Sequence, residues 1–364
     1  MSLTNIMGLL GGLALFLYGM QMMSQGLENA AGNKMQQILE KLTANRFLGV
    51  LVGALITAVI QSSSATTVMV VGFVNAGMMT LNQAVWIIMG ANIGTTITGQ
   101  LIALDAGAVA PIIAFIGVIL IIFSKKEKIG YVGSILAGLG ILFIGMDMMG
   151  GSMEPLAQSQ SFISLLTKFS NPILGILAGT IFTAIIQSSS ASVGILQALA
   201  GSGIVTLDSA AFILFGQNIG TCITAFLAAL GANWNAKRTT IIHITFNVIG
   251  TIIFTILCIT TPLIPVLQGM TESAPKQIAN LHTMFNVTTT LILLPFGTAL
   301  TKLAQHILPD PKTGEPVQGQ IGHLQTKNSD VLGMASITLE ETKRKLEDML
   351  LLAEQNVHSS YDVF

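Results

Sequence analysis

A chain of 364 residues with 52% hydrophobic and only 9% charged residues, and a mean hydropathy of +0.74, is not built to dissolve in water. A soluble domain carries roughly a quarter charged residues. The net charge of −1 offers no basic face to nucleic acid, and the two cysteines, Cys222 and Cys258, supply neither a disulfide framework nor a metal cluster. What remains is an all-α integral membrane protein, because helices satisfy their own backbone in lipid.

In chain order, the first apolar run covers about residues 4–24. No basic segment precedes it and no small-residue cleavage site follows, so it reads as a retained span and not a signal peptide. Further runs near the length of a bilayer core fall at about 84–104, 109–123, 130–150, 210–230, 239–260 and 279–304, giving seven complete crossings. Basic residues set the orientation. Lys34, Lys41 and Arg46, then Lys125, Lys126 and Lys128, then Lys237 and Arg238 mark three cytoplasmic loops, with only Lys168 and Lys276 on the outer face. The stretches 47–76 and 172–200 must then enter and leave on the same side, as re-entrant helical hairpins, one from each face. The layout that follows is a first repeat over 4–123, a second over 130–260, a last transmembrane helix over 279–304, and a cytoplasmic linker and truncated helical tail over 305–364. Within the tail, Pro309–Gln320 reads as linker and 330–358 as a helix.

The two repeats are read from identical segments. Gln61-Ser62-Ser63-Ser64-Ala65 recurs as Gln187-Ser188-Ser189-Ser190-Ala191, an offset of 126 positions from 61 to 187. The same register aligns Gly19-Met20 with Gly145-Met146, Gly53 with Gly179, Thr57-Ala58 with Thr183-Ala184, Gly90 with Gly216, Asn92-Ile93-Gly94-Thr95 with Asn218-Ile219-Gly220-Thr221, and Thr98 with Thr224. Chance does not keep one register without a gap from Gly19 to Thr98, so the chain is a duplication. Three crossings separate equivalent points, and an odd number inverts the second copy. Inverted repeats of this kind place a site near the midplane, at broken helices.

At the tip of a membrane hairpin, Gln-Ser-Ser-Ser has defined chemistry. A new helix begins there with unpaired N–H groups, serine is a preferred N-cap, and the positive end of the helix dipole attracts an anion. Serine hydroxyls add donors, while their oxygens and the glutamine carbonyl can coordinate a hard cation instead. A second motif, Gly-x-Asn-Ile-Gly-Thr, stands at Gly90–Thr95 and Gly216–Thr221. Its two glycines around an asparagine invite a broken helix, and Thr95, Thr96, Thr98, Thr221 and Thr224 present oxygens beside it. This segment is read as ion-coordinating and cavity-lining. No lysine or arginine stands in the core of a span, so a bound anion would need co-transported cations to offset its charge.

Several features read as structure. A lone Ser-Ser-Ser in a membrane helix usually only permits close packing, but duplication in register argues for more. Gly49 and Gly53, and Gly175 and Gly179, are spaced for packing. His243 and His282 each open a His-x-x-Phe-Asn pattern ending at Asn247 and Asn286, and bracing the bundle is at least as good a reading as ligation. Asp147 reads as a solvated carboxylate near the outer end of its span, and the methionines as packing filler. No nucleophile–base pair, metal-ligand cluster or nucleotide loop speaks for an enzyme.

Paired Gln-Ser-Ser-Ser segments, each followed by Gly-x-Asn-Ile-Gly-Thr, closely resemble the type II sodium–phosphate cotransporter family in its bacterial branch, over about residues 4–304. The resemblance implies sodium-driven phosphate uptake, usually by a homodimer, in the inner (plasma) membrane of a bacterium, with the C-terminus cytoplasmic. It implies no cofactor beyond sodium as coupling ion. Matching positions implicate Ser62, Ser63, Ser64, Ser188, Ser189, Ser190, Asn92 and Asn218 in substrate binding. They implicate Gln61, Gln187, Ser188, Thr95, Thr221 and Thr224 in sodium binding. The chain departs from the family pattern at Pro111–Ile116, which lacks His-x-x-Phe-Asn, and at Cys222, which matches Thr96. A carrier of another small anion, such as sulfate, and a non-transporting phosphate sensor are the alternatives.

Overall fold

Apolar solvent offers the backbone no hydrogen bonds, and every element among the described residues is helical. The computed structural model describes residues 3–31, 45–104, 106–157 and 167–310, all within one unit that covers 1–312. The tail helix expected at 330–358 lies outside the described residues, as do Lys34, Lys41, Asp105 and most of the 309–320 linker.

In chain order the helices are α1 (Leu3–Ala31), α2 (Arg46–Ile60), α3 (Ser63–Asn75), α4 (Leu81–Gly94), α5 (Thr96–Ile102), α6 (Ala110–Phe123) and α7 (Glu127–Ala157). There follow α8 (Pro172–Ile186), α9 (Ser189–Gly201), α10 (Leu207–Gly220), α11 (Cys222–Ala228), α12 (Trp234–Thr260), α13 (Leu263–Met270), α14 (Ala274–Leu293) and α15 (Gly297–Ile307). Six helical stretches among the described residues are long and apolar enough to cross a membrane: α1, α4–α5, α7, α10–α11, α12 and α14–α15. The chain is a multi-pass membrane protein. The seventh crossing expected, at 109–123, corresponds to α6, which has only 14 residues behind a short 3-10 turn at Gly107–Val109. Between the long helices α12 and α14, α13 is a short helix after Pro262.

Local chemistry explains the boundaries. Asn45 Oδ1 accepts from Phe47 N at 3.0 Å to open α2, and Asn171 Oδ1 accepts from Ile173 N at 3.0 Å and Leu174 N at 3.3 Å to open α8. Thr80 and Gln83 form a capping box at the start of α4. Beyond α3 and α9 the chain turns through Gly77 (φ 72°) and Gly203 (φ 71°), a left-handed conformation that glycine adopts without steric cost. The bounds of α2, α3, α4 and α5 recur in α8, α9, α10 and α11 at the offset of the sequence repeat.

Close approach of backbones holds these helices together, as expected where lipid removes the hydrophobic drive between them. A Cβ on Gly53 would stand 2.2 Å from Ile87 O, and one on Gly179 1.9 Å from Ile213 O. Gly90 and Gly216 return the contact from α4 and α10, against Val50 O at 2.0 Å and Ile176 O at 2.0 Å. This places them differently from the sequence reading, which gave these glycines to a helix break. They lie inside continuous helix, and the interruption falls later, at Thr95 and Thr221. It is a mild one: Thr95 (φ −63°, ψ −22°) and Thr221 (φ −62°, ψ −21°) remain right-handed, so the helix tightens and bends without unwinding. Around the second copy, Phe212, Phe215, Phe254 and Phe285 form an aromatic core, with Phe215 stacked on Phe285 at 5.3 Å, that joins α10, α12 and α14.

Arg238, read from sequence as a loop charge, is the fifth residue of α12 and is buried. Its Nε donates to Leu308 O at 2.9 Å, Nη1 to Asn235 Oδ1 at 2.8 Å and Nη2 to Asp310 Oδ1 at 2.7 Å. Asp310 is 82% exposed, so the carboxylate is well solvated and the pair contributes at most about 1 kcal/mol. Asp310→Asn is therefore expected to leave the melting temperature of the purified protein within a degree or two. Arg238→Ala, which removes all three hydrogen bonds of a buried side chain together with its packing, is expected to lower stability by about 1–3 kcal/mol, read by the same thermal melt.

Candidate substrate and ion site

Two helix-to-helix reversals build the site. Gln61 ends α2 with φ 58° and ψ 22°, and its N–H reaches Thr57 O at 2.7 Å. Ser62 follows in extended backbone, and its Oγ accepts from Ala65 N at 3.1 Å, capping α3. Gln187 repeats this with φ 59° and ψ 19°, and Ser188 Oγ accepts from Ala191 N at 3.2 Å to cap α9. These glutamines are the only non-glycine residues with positive φ among the described residues. The chain thus spends two residues on turning, and a fresh helix N-terminus begins at each turn.

The two turns meet. Ser63 Oγ and Ser189 Oγ stand 3.3 Å apart, both buried, at the first residues of α3 and α9. Each tip also touches the bent helix of the other copy. Ser190 Oγ lies 3.5 Å from Thr98 Oγ1 and 3.5 Å from Gln61 O, while Ser64 Oγ lies 3.2 Å from Thr224 Oγ1. Thr98 Oγ1 donates to Gln61 Oε1 at 2.7 Å, and Gln61 Nε2 donates to Ala58 O. Two helix N-termini, six serines and two threonines therefore share one locus, a donor-rich surface at the level where the copies touch.

The remaining sequence candidates are placed less directly. Thr95 and Thr221 are buried at the bends, and neither hydroxyl has a partner in the protein. Asn92 Nδ2 donates to Ile88 O at 2.8 Å, and Asn218 Nδ2 to Leu214 O at 2.9 Å, so both amides are pinned to their own helix. Asn218 Oδ1 faces His282 Nε2 at 3.3 Å and Asn286 Nδ2 at 3.5 Å rather than the serines. Gln61 is 4% exposed, whereas Gln187 is exposed; the tips share a backbone but not their surroundings. Cys222 Sγ lies 3.8 Å from Asn218 O, four residues back, while its register partner Thr96 donates from Oγ1 to Ile93 O, three residues back, at 2.7 Å.

Thr98, read from sequence among the threonines of the second motif, stands at the locus with its register partner Thr224. Gln197, which the sequence reading did not single out, carries no repeat signal, because its counterpart at the offset is Val71. Its Nε2 donates to Gly99 O at 3.0 Å and Pro275 O at 3.0 Å, tying α9 to α5 and α14. Beside it opens a cavity of about 740 Å³ lined by Asp147, Ser202, Glu272 and Ser273. Asp147 is exposed there. Among the described residues, no group of three or more His, Cys, Asp or Glu side chains could hold a metal ion.

Comparison with known proteins bears on the same segments. The family described as Na+/Pi-cotransporter matches twice, over residues 15–151 and 145–270. An uncharacterised protein of Bacillus subtilis, YqeW, is 32% identical over 81% of this chain and 95% of its own length. A Salmonella typhimurium protein, named as the putative inorganic phosphate export protein YjbB, is 26% identical over 92% of this chain, which spans 60% of YjbB. Human sodium-dependent phosphate transport protein 2B is 38% identical over 98 residues, 26% of this chain and 14% of its own. No solved structure matches significantly.

Proposed function

The chain belongs to the Na+/Pi-cotransporter family, a family of transporters and not of enzymes, and from that premise we propose that it carries inorganic phosphate into a bacterial cell in symport with sodium, by alternating access. The observation that carries this reading is the meeting of the two serine tips, Ser63 Oγ to Ser189 Oγ at 3.3 Å, at the start of two helices. Phosphate presents four oxygens, and the site offers what they need: N–H groups at the first turns of α3 and α9, and the hydroxyls of Ser62, Ser63, Ser64, Ser188, Ser189 and Ser190. Asn92 and Asn218 line the approach.

Sodium takes the acceptors. Gln61, Gln187, Ser188, Thr95, Thr221 and Thr224 offer neutral oxygens around the tips, and each sodium offsets charge on a substrate that meets no lysine or arginine there. The two copies are inverted, with α2–α3 and α8–α9 as re-entrant hairpins from opposite faces, seven crossings in all, and a cytoplasmic C-terminus. In a symmetric machine of this kind, unequal exposure of Gln61 and Gln187 is what access from one side at a time requires. The working unit is a homodimer.

The test is radiolabelled phosphate flux in proteoliposomes under a sodium gradient imposed in either direction, with sulfate as competitor. Phosphate accumulation that follows the sodium gradient and ignores sulfate supports the reading. Flux that ignores sodium, or that sulfate competes for equally, replaces it with another coupling ion or another anion. No flux of any anion, with phosphate still bound, favours a sensor. Reversing the gradient also gives the direction, which matters because the YjbB relatives are named as putative exporters.

A further inference from the structure

Away from the serine tips, two apolar hollows along α11 and α12 join. One, of about 460 Å³, is lined by Phe226, Leu230, Ile241, Ile244 and Leu308, with Lys237 as the one charged residue of its lining. The other, of about 320 Å³, carries on past Gly220, Cys222 and Ile223 to Ala184 in the last turn of α8. Phe226 and Ile244 line both, so the two hollows make one furrow.

The furrow has the depth of one leaflet. Ile244 follows Trp234 by ten residues of α12. At 1.5 Å per residue that is about 15 Å, half of a hydrocarbon core of about 30 Å. Trp234 and Lys237, in the first turn of this membrane-crossing helix, mark the headgroup level, where aromatic and basic residues anchor such helices.

The charge at that end is unspent. Lys237 Nζ stands 5.4 Å from the centroid of the Trp234 ring, and no described carboxylate pairs with it. The neighbouring charge, Arg238, is already taken by Asp310 at 2.7 Å. No lining residue is acidic, and Thr240 spends its hydroxyl on Ala225 O at 3.0 Å. A furrow that is apolar to the depth of a leaflet and begins at an unpaired cation complements a molecule with an anionic head and a hydrocarbon tail. A basic pocket between membrane helices is the setting in which anionic lipid headgroups are held.

We propose that this furrow binds one anionic phospholipid, with an acyl chain along Phe226 and Ile244 and the phosphate on Lys237. The site stands apart from the serine tips and does not depend on sodium coupling. Its deep end lies against Gly220 and Cys222, so the lipid tail packs on the α10–α11 bend.

The test places a photoreactive benzoylphenylalanine at Phe226, an exposed aromatic position, in the whole chain. The protein is reconstituted in equal parts phosphatidylglycerol and phosphatidylethanolamine with identical acyl chains, illuminated, and its adducts identified by mass spectrometry. Phosphatidylglycerol adducts are expected to exceed phosphatidylethanolamine adducts at least threefold. Lys237→Gln is expected to bring that ratio to about one, and Lys237→Arg, which keeps the charge, to preserve it. Equal labelling in the parent protein, or a preference that Lys237→Gln leaves intact, overturns the proposal. So do adducts to a second copy of the chain or to residues 311–364, which would assign the furrow to a protein surface. The unlabelled wild type gives an independent reading by native mass spectrometry: one retained phosphatidylglycerol in preference to phosphatidylethanolamine is expected, and no preference overturns the site.

Discussion

Alanine at both Ser63 and Ser189 is expected to cut sodium-driven phosphate flux at least about 100-fold while leaving the melting temperature within a few degrees of wild type. Hydrogen bonds to a charged group are worth about 1.5–3 kcal/mol each, so two lost donors amount to about 3–6 kcal/mol, which corresponds to two or more orders of magnitude in flux. The cost to the fold is small for a geometric reason. The two hydroxyls touch only each other across the tips, at 3.3 Å, and removing both leaves no stranded partner. Capping is untouched, because Ser62 and Ser188 carry it. Flux within threefold of wild type in a folded double variant would take these two serines out of the substrate site. A collapse of flux together with the melting temperature would make the tip contact structural.

Leucine at Gly179 is expected to abolish the folded protein altogether. A Cβ there would stand 1.9 Å from Ile213 O and 2.8 Å from Ile213 C, and backbone of a packed helix cannot step aside as a side-chain end can. Overpacking costs typically 1–3 kcal/mol and more where backbone must move, and here α8 would be levered off α10 along with the tip it supports. The control is Gly72 in α3, where an added Cβ meets nothing within 4 Å. Gly72→Ala is expected to keep the protein folded and to raise its stability by up to about 1 kcal/mol, since alanine is the better helix former. Detergent-solubilised protein run on size exclusion, with a thermal melt, reads both. A monodisperse Gly179→Leu variant with a wild-type melt would show that α8 and α10 do not pack through this glycine.

What could be read from the sequence was what recurs. The identical pentapeptides at Gln61 and Gln187 pointed to the two interhelical turns because a duplicated motif carries its own internal comparison, and the family match falls twice, over residues 15–151 and 145–270. Apolar run length gave the long helices, while the stretch expected to cross at 109–123 is the shorter apolar helix α6, since hydropathy does not report where a helix stops. The glycines misled in an instructive way. Gly90 and Gly216 looked like flexibility and turned out to be clearance, because from one chain alone a missing Cβ cannot say whether a bend or a neighbouring backbone asked for it. Partners brought together by unrepeated parts of the chain were beyond reach: Gln197 on Gly99 O, and Asn286 on Asn218, depend on how α14 docks against both copies. Arg238 was legible as a charge but not as a buried one, since its enclosure comes from Leu308 and Asp310, far along the chain.

The left-handed glutamines carry one more implication. Glycine would adopt that backbone freely, whereas a side chain there costs about 1 kcal/mol, and both copies of the chain keep the side chain. The residue that reverses the chain is thus also the residue whose amide stands at the tip, so shape and chemistry are vested in one position. Retuning one disturbs the other: glycine would ease the corner and delete the amide, asparagine would ease it and draw the amide back by one methylene, and a bulkier side chain would keep the corner tense while altering what it presents. Adaptation of such a transporter to a new ion or anion would have to come from the residues around the corner, not from the corner itself.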